Sequence, residues 1–187
     1  MFSKKVDDQI SLILTSPEHA NALFSLVDGN RDYLSQWMVW PPLNQKVADA
    51  TAFIKRSLQG FAEHREMACG IEYNGELVGS ISFNLIDHNL RKVELGYWLA
   101  ENMQGKGIIS RACKVMIDYA FTRLEMQKVE IRVAEHNHPS NKVCQRLGFK
   151  LEGCLRNAEN LRGMMLDYNI YGLTIDEYEG SDPRHKF

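Results

Sequence analysis

Residues 93–121 read V-E-L-G-Y-W-L-A-E-N-M-Q-G-K-G-I-I-S-R-A-C-K-V-M-I-D-Y-A-F. Val93, Leu95, Tyr97 and Leu99 alternate with Glu94, Gly96, Trp98 and Ala100, the period-two pattern of a strand. The period then changes. Ile109, Ala112, Cys113, Met116, Ile117, Ala120, Phe121 and Leu124 fall at helical spacing and leave Lys114, Asp118 and Arg123 outside. Between strand and helix lies Gln104-Gly105-Lys106-Gly107. Two glycines there let backbone N–H groups converge at a helix start, where unsatisfied amides and the helix dipole favour an anion. The chemistry open to such a turn is phosphate binding.

Spacing rules out two common phosphate loops. The Walker pattern needs Gly, four residues, then Gly-Lys-Ser/Thr, and Gly105-Lys106-Gly107-Ile108 does not supply it. The dinucleotide fingerprint G-x-G-x-x-G, counted from Gly105 and Gly107, puts Ser110 where its third glycine belongs. A lone G-x-G is a weak signal, so its place between strand and amphipathic helix carries the weight.

At 187 residues and 44% hydrophobic, the chain is long enough for one sizeable core and short for two domains, so residues 1–187 are read as one unit. Its 25% charged residues fit an ordinary globular surface. A net charge of −2 and a pI near 6.3 give no basic field for nucleic acid or an anionic membrane. No apolar run approaches the roughly 20 residues that span a bilayer, and the first residues lack the apolar centre of a signal peptide. Cys69, Cys113, Cys144 and Cys154 show no C-x-x-C spacing and read as reduced, mostly buried thiols of a cytoplasmic protein.

Along the chain, residues 9–15 alternate as a first strand, and Ser16-Pro17-Glu18 starts a helix that Asp28-Gly29-Asn30 stops. Tyr33, Leu34, Trp37, Met38 and Trp40 precede Pro41-Pro42, and read either as core packing or as the lip of an acceptor groove. A helix over 47–64 leads to strands 67–73 and 77–86 joined at Asn74-Gly75, a hairpin signal. After the central unit come a strand around Val129-Val133, a loop over 136–139 and a short helix over 140–147 closed by Gly148. Strands over 150–156 and 166–173 finish the sheet, and a polar tail, about 176–187, is expected to fray. A hairpin meander followed by strand–helix alternation implies an α/β fold with a mixed sheet and a parallel section beside the anion site.

Gln104-Gly105-Lys106-Gly107-Ile108-Ile109 resembles the Q/R-x-x-G-x-G/A coenzyme A loop of the GNAT acyltransferases, departing from it at Ile109. The resemblance covers about residues 8 to 175. It is nearest to the bacterial ribosomal-protein-serine N-acetyltransferases, through Trp40-Pro41, Gly79 to Asn84, Glu94 to Leu99, Gln104 to Ser110, Pro139-Ser140-Asn141 and Gly148 to Leu155. It implies the GNAT fold, a mixed, mostly antiparallel seven-stranded sheet split into a V by the acyl-CoA and flanked by helices. It also implies acetyl-CoA as co-substrate without a metal, and an acceptor amine such as the N-terminus of a ribosomal stalk protein. Gln104, Gly105, Lys106, Gly107, Ile108 and Ile109 would cradle the pyrophosphate. Trp98 and Leu99 would lie along the pantetheine, with Asn137 and Asn141 completing the coenzyme set.

Moving acetyl from a thioester to an amine needs a neutral amine, a stabilised oxyanion and a proton for the departing thiolate. Many GNAT relatives place a proton-donating tyrosine four residues before the Gly-Phe that ends the short helix; here that position is Cys144. Ser140, one turn earlier on the same face, matches the serine of the ribosomal enzymes, and a helix N-cap is the competing reading. For the base, Glu159, on a loop before the last strand, matches the glutamate of those enzymes, with Glu94 as the rival. Deprotonating a lysine amine of pKa about 10.4 at pH 7 costs roughly 4 to 5 kcal/mol, an α-amine near 7.8 only about 1, within reach of a modest carboxylate. His136 and His138 form an H-x-H without partner spacing for zinc. Small-amine acetylation, of a polyamine or aminoglycoside, and acyl-CoA binding without turnover stay open as alternatives, as does homodimerisation.

Overall fold

The computed structural model describes residues 3–181. Its first half runs β1 (Ser3–Lys5), β2 (Ile10–Leu14), α1 (Ala20–Gly29), α2 (Arg31–Leu34), α3 (Val47–Ala62), β3 (Met67–Tyr73), β4 (Glu76–Asp87) and β5 (Lys92–Leu99). Then follow α4 (Ile108–Thr122), β6 (Lys128–Ala134), α5 (His138–Arg146), β7 (Lys150–Leu161), β8 (Met164–Thr174) and α6 (Ile175–Ser181). The strands form one sheet in the order β1-β2-β3-β4-β5-β6-β8-β7. That is eight strands where seven were expected. The addition is β1, three exposed residues paired to β2 through the backbone, with no apolar alternation to announce them.

Every neighbouring pair is antiparallel except β5 and β6. The β3–β4 hairpin turns at Asn74 (φ 53°) and Gly75 (φ 83°), the left-handed pair that a tight two-residue turn requires. The parallel contact is short. Lys92, Val93 and Glu94 pair with Lys128, Val129 and Glu130, and there the ladder ends. Beyond it, β5 keeps only β4 as a sheet partner and β6 keeps only β8, so the sheet opens.

Helix α4 crosses behind this opening. Ile108, Ala112, Cys113, Met116, Ile117, Ala120 and Phe121 are its buried residues, packed on Val93, Leu95, Val129 and Ile131 of the two diverging strands. At about 1.5 to 3 kcal/mol for each large apolar side chain buried, this face holds the crossover in place. A second, smaller cluster joins α1 and α3 through Leu23, Val27 and Ile54. Residues 176–181 of the expected polar tail belong to α6, whose Tyr178 ring stacks 5.0 Å from Phe121 and whose Glu177 pairs with Lys150 at 2.6 Å. Residues 182–187 lie outside the described residues. Among the described residues, no helix is long and apolar enough to cross a membrane.

The last parallel pair carries charge. Glu130, 5% exposed, accepts from Lys92 Nζ at 3.0 Å and Arg132 Nε at 3.0 Å. Burial works to raise its pKa, and the Lys92 and Arg132 hydrogen bonds outweigh it, so the carboxyl titrates below the usual range. A depressed folded value contributes stability above the unfolded pKa of about 4.3, and that stability is lost as pH falls through the folded value. Glu130→Gln is expected to cost about 1 to 3 kcal/mol at pH 7, a fall of several degrees in Tm. Thermal melts of both proteins should converge as pH drops toward 3; a constant gap would show that the charge does not contribute.

Candidate active site

The opening between β5 and β6 continues into a cleft of about 1830 Å³. At one end, the chain leaves β5 through a short turn over Glu101–Met103 and enters α4 through Gly105 (φ 76°) and Gly107 (φ 68°). Gly107 is the N-cap of α4 and offers no side-chain cap, so the amides of the first turn face outward unsatisfied. A Cβ built on either glycine meets nothing within 4 Å. The glycines are therefore required by the left-handed backbone, and the space in front of them is free for an anion. Around it stand Ser110, Arg111, Lys142 and Arg146, all lining the cleft. Arg111 is already braced, donating to Asp7 Oδ2 at 2.7 Å and to the Lys106 carbonyl at 3.1 Å, which fixes the glycine turn from behind.

Of the predicted coenzyme residues, Trp98, Leu99, Gln104, Gly105, Gly107, Ile108, Ile109 and Asn137 line the cleft. The Lys106 side chain is not among the lining residues: its ammonium lies 5.5 Å over the Tyr73 ring. Asn141 is not among the lining residues either. Its amide nitrogen donates to the carbonyls of Ala134, Glu135 and Asn137, and its Oδ1 accepts from Asn169 and Tyr171. Buried to 7% exposure, that side chain is spent on locking α5 to β6 and β8.

This lock sets Ser140. Helix α5 starts at His138, two residues before the expected start, because Asn137 is the cap: its Oδ1 accepts the Ser140 N–H at 3.3 Å. Ser140 is thus relieved of capping, and its Oγ lies 2.9 Å from the Tyr97 hydroxyl. Both residues line the cleft. Cys144 is fully buried, and burial pushes its thiol up to about 12 against the Tyr97 hydrogen bond, so it stays protonated. It cannot act as a thiolate there.

The two candidate bases differ in their surroundings. Glu94 reaches the cleft but is paired with Arg132 at 3.2 Å. Glu159 is on β7, not on the loop expected for it. The β7–β8 register jumps from Leu155 opposite Tyr168 to Glu159 opposite Leu166, so four residues of advance on β7 meet two on β8. Asn157 takes φ 51° inside this bulge and donates its amide to Asp167 Oδ1 at 2.8 Å. A bulge re-aims the side chains beyond it, and Glu159 lines the cleft, half-buried. Its charge joins burial in raising the Tyr168 hydroxyl above its ordinary value. Arg162, at the hairpin turn, donates to the Ser35 carbonyl at 2.5 Å and so ties the hairpin to the loop after α2.

The aromatic stretch before Pro41 is part core and part cleft lining. Trp40 packs on the α1–α3 cluster and stands 5.8 Å from Trp98, while Tyr33, Trp37 and Met38 line the far end of the cleft. Tyr97 and Tyr168 went unnoticed in the sequence, although a tyrosine among buried aliphatic residues carries a hydroxyl that must find a partner. His136 and His138 do not converge with other ligand types. Among the described residues, the one cluster with metal-ligand chemistry is Glu135, Cys154 and Asp167, on the outer face, with Asp167 engaged by the Asn157 amide.

A model of the acetyltransferase (GNAT) domain matches residues 10–150. The ribosomal-protein-serine acetyltransferase of Escherichia coli is 34% identical over 172 residues, 92% of this chain and 96% of its own. The chain belongs to the GNAT acetyltransferases. It is an N-acetyltransferase that uses acetyl-CoA, and its splayed sheet is the GNAT fold. Among solved structures, the microcin C7 self-immunity acetyltransferase MccE, bound to acetyl-CoA and AMP, superposes with a TM-score of 0.88 at 34% identity, covering 91% of this chain and 95% of its own. RimL, the ribosomal L7/L12 alpha-N-protein acetyltransferase bound to coenzyme A, gives 0.91 at 28% identity, over 94% and 99%.

In this acetyltransferase, the outward amides before α4 and the free space over Gly105 and Gly107 fit a pyrophosphate. Gly107→Val forces a β-branched side chain into a left-handed conformation and fills that space. The acetyl-CoA dissociation constant, measured by calorimetry, should rise at least tenfold, about 1.4 kcal/mol. Unchanged affinity in a folded variant would remove the turn from the coenzyme site.

Proposed function

We propose that this acetyltransferase moves the acetyl group of acetyl-CoA to the α-amine of a protein N-terminus, that of a ribosomal protein. The observation that carries the reading is the cleft's far half, wide and aromatic, with a half-buried Glu159 on its wall. The names of the E. coli relative and of RimL point the same way. Charge argues against a polyamine. Glu94 is paired with Arg132, Asp49 is held by the Gln45 and Lys46 amides, and Arg56 and Arg156 also line the cleft, where they repel a polycation.

In this mechanism Glu159 draws a proton from the acceptor ammonium through a water. The free nitrogen attacks the thioester carbonyl carbon, the carbon–sulfur bond breaks, and sulfur takes the Ser140 Oγ proton. The nitrogen, now bonded to the acetyl carbon, gives up its second proton to water in the cleft, water returns one to Ser140, and the proton first taken by Glu159 passes to solvent as the one released in each turnover. An α-amine near pKa 7.8 needs only about 1 kcal/mol of help at pH 7, which suits a carboxylate working through water.

A second reading rests on the aromatic wall. Tyr33, Trp37 and Trp40 offer stacking surfaces, and MccE holds AMP beside acetyl-CoA, so an amine carried on a nucleotide is the competing acceptor.

Turnover assays on purified enzyme test these readings by free-thiol release. A peptide with a free N-terminal serine should exceed spermine and an aminoacyl-AMP analogue in kcat/KM by at least 10²-fold, about 2.7 kcal/mol. Equal or faster use of the polyamine or of the nucleotide would move the acceptor to that class. Ser140→Ala should lower kcat about 10²-fold with little change in coenzyme affinity, and Glu159→Gln should remove most turnover. Cys144→Ala should turn over near the wild-type rate. A Ser140→Ala enzyme that turns over normally would strip Ser140 of its role as acid.

A further inference from the structure

We infer that Tyr97 is a positioning residue for acetyl transfer: its hydroxyl donates to Ser140 Oγ and so aims the serine proton into the gap between β5 and β6. The inference rests on Ser140 as the proton donor proposed above, and it assigns a task to a side chain that the chemistry so far leaves unused.

Geometry comes first. Tyr97 leaves β5 where the sheet has just opened, and its side chain bridges from that strand to α5. The hydroxyl is 2.9 Å from Ser140 Oγ and 3.5 Å from the Ser140 carbonyl oxygen. The first is a good hydrogen bond and the second is too long to compete with it. The Cys144 thiol, buried and protonated, lies one turn along α5 from Ser140.

Direction follows from counting protons. A serine hydroxyl has one proton to give and two lone pairs to receive with. If Ser140 gave its proton to Tyr97, none would face the coenzyme sulfur. If Tyr97 donates, the serine proton is free to turn into the cleft, where the thiolate develops. The phenol is the better donor of the two hydroxyls. Burial pushes its pKa well above the ordinary 10, so it carries its proton at every working pH. Tyr97 keeps its proton throughout. Its effect is to hold Oγ in place and to ease the charge left there as the serine proton moves toward sulfur.

The fold supports this division of labour. Ser140 sits in the first turn of α5, capped by Asn137 and locked by Asn141, so its backbone is fixed while its hydroxyl rotor is not. One strong donor is enough to fix that rotor. A tyrosine delivered from the strand takes up, indirectly, the place left by a cysteine where many GNAT relatives carry a tyrosine on α5.

The test is a double-mutant cycle of Tyr97→Phe and Ser140→Ala, read as kcat, KM for acetyl-CoA, coenzyme dissociation constant and Tm. Phenylalanine keeps the ring and removes only the hydroxyl. Tyr97→Phe should lower kcat about tenfold, about 1.4 kcal/mol, with coenzyme affinity unchanged within twofold. In the Ser140→Ala background it should lower kcat no further, because nothing remains to be aimed. Losses that multiply, or a Tyr97→Phe enzyme at full rate while Ser140→Ala is slow, would overturn the role of Tyr97 and leave Ser140 standing. A full-rate Ser140→Ala enzyme would instead sink the parent reading, and this one with it. A purely structural hydroxyl would show itself by a lower Tm and weaker coenzyme binding, with losses that add. Should Tyr97→Phe fold poorly, 3-fluorotyrosine at position 97, a stronger donor of the same shape, should keep or raise kcat; a fall would count against the inference.

Discussion

The parallel ladder between β5 and β6 stops after three residue pairs, and the site depends on that stop. Had it continued, the strand edges past Glu94 and Glu130 would be consumed by each other. Instead each strand keeps its antiparallel neighbour on the outer side and turns an unpaired edge into the gap. Unpaired backbone groups demand partners, and in most proteins such an edge is covered or blunted. Here the gap opens onto a coenzyme cleft, which puts that demand to use. Glu130 marks the last closed rung; its bond to Lys92 joins the two strands at the hinge of the V, as does the bond from Arg132 to Glu94.

What the opening gives up in sheet pairing is made good by polar locks on either side. On one side Arg111 holds the glycine turn through Asp7 and the Lys106 carbonyl. On the other, five hydrogen bonds to the Asn141 side chain fasten α5 to the ends of β6 and β8. Each bond contributes modestly when made, and each buried partner left unsatisfied costs about 1 to 3 kcal/mol. The two jaws of the cleft are therefore braced from both sides, and side-chain rotors such as Ser140 are set against fixed backbone.

Local pattern carried the coenzyme half of the site. Gly105 and Gly107 sit between a period-two and a period-3.6 segment, and both periods report burial that the structure repeats. Some residues shifted: Ile108 is buried in place of Ile109, which turns toward the cleft, Ala100 is buried as well, and Tyr97 and Leu124 are only partly covered. Long-range facts were invisible in the same reading. Asn141 looked like a ligand because it stands beside Ser140, while its five partners come from residues 134 to 171. The Lys106 side chain lies over Tyr73, more than thirty residues away, a contact that no local pattern announces. The start of α5 was set two residues late because Pro139 and Ser140 both carry helix-start preferences, and the Asn137 cap outweighed them. Strand β1 left no apolar trace at all.

Glu159 shows why the acceptor half is harder to read than the coenzyme half. Its approach to the cleft depends on a bulge in β7, a left-handed Asn157, and a hairpin tied by Arg162 to the Ser35 carbonyl. None of these has a sequence period, and the last spans most of the chain. The same holds for the aromatic wall, which joins Trp37 and Trp40 from the loops around α2 to Tyr168 from β8. Substrate choice is thus assembled from segments that loops bring together, whereas the anion turn is a single continuous stretch. A loop-built acceptor wall can change its chemistry without disturbing the splay or the turn, so shared coenzyme geometry says little about the amine. In this chain the lining holds half-buried Glu159, Glu94 paired with Arg132, Asp49 held by the Gln45 and Lys46 amides, and further arginines. That balance favours a single amine on a neutral or acidic carrier over an acceptor bearing many positive charges.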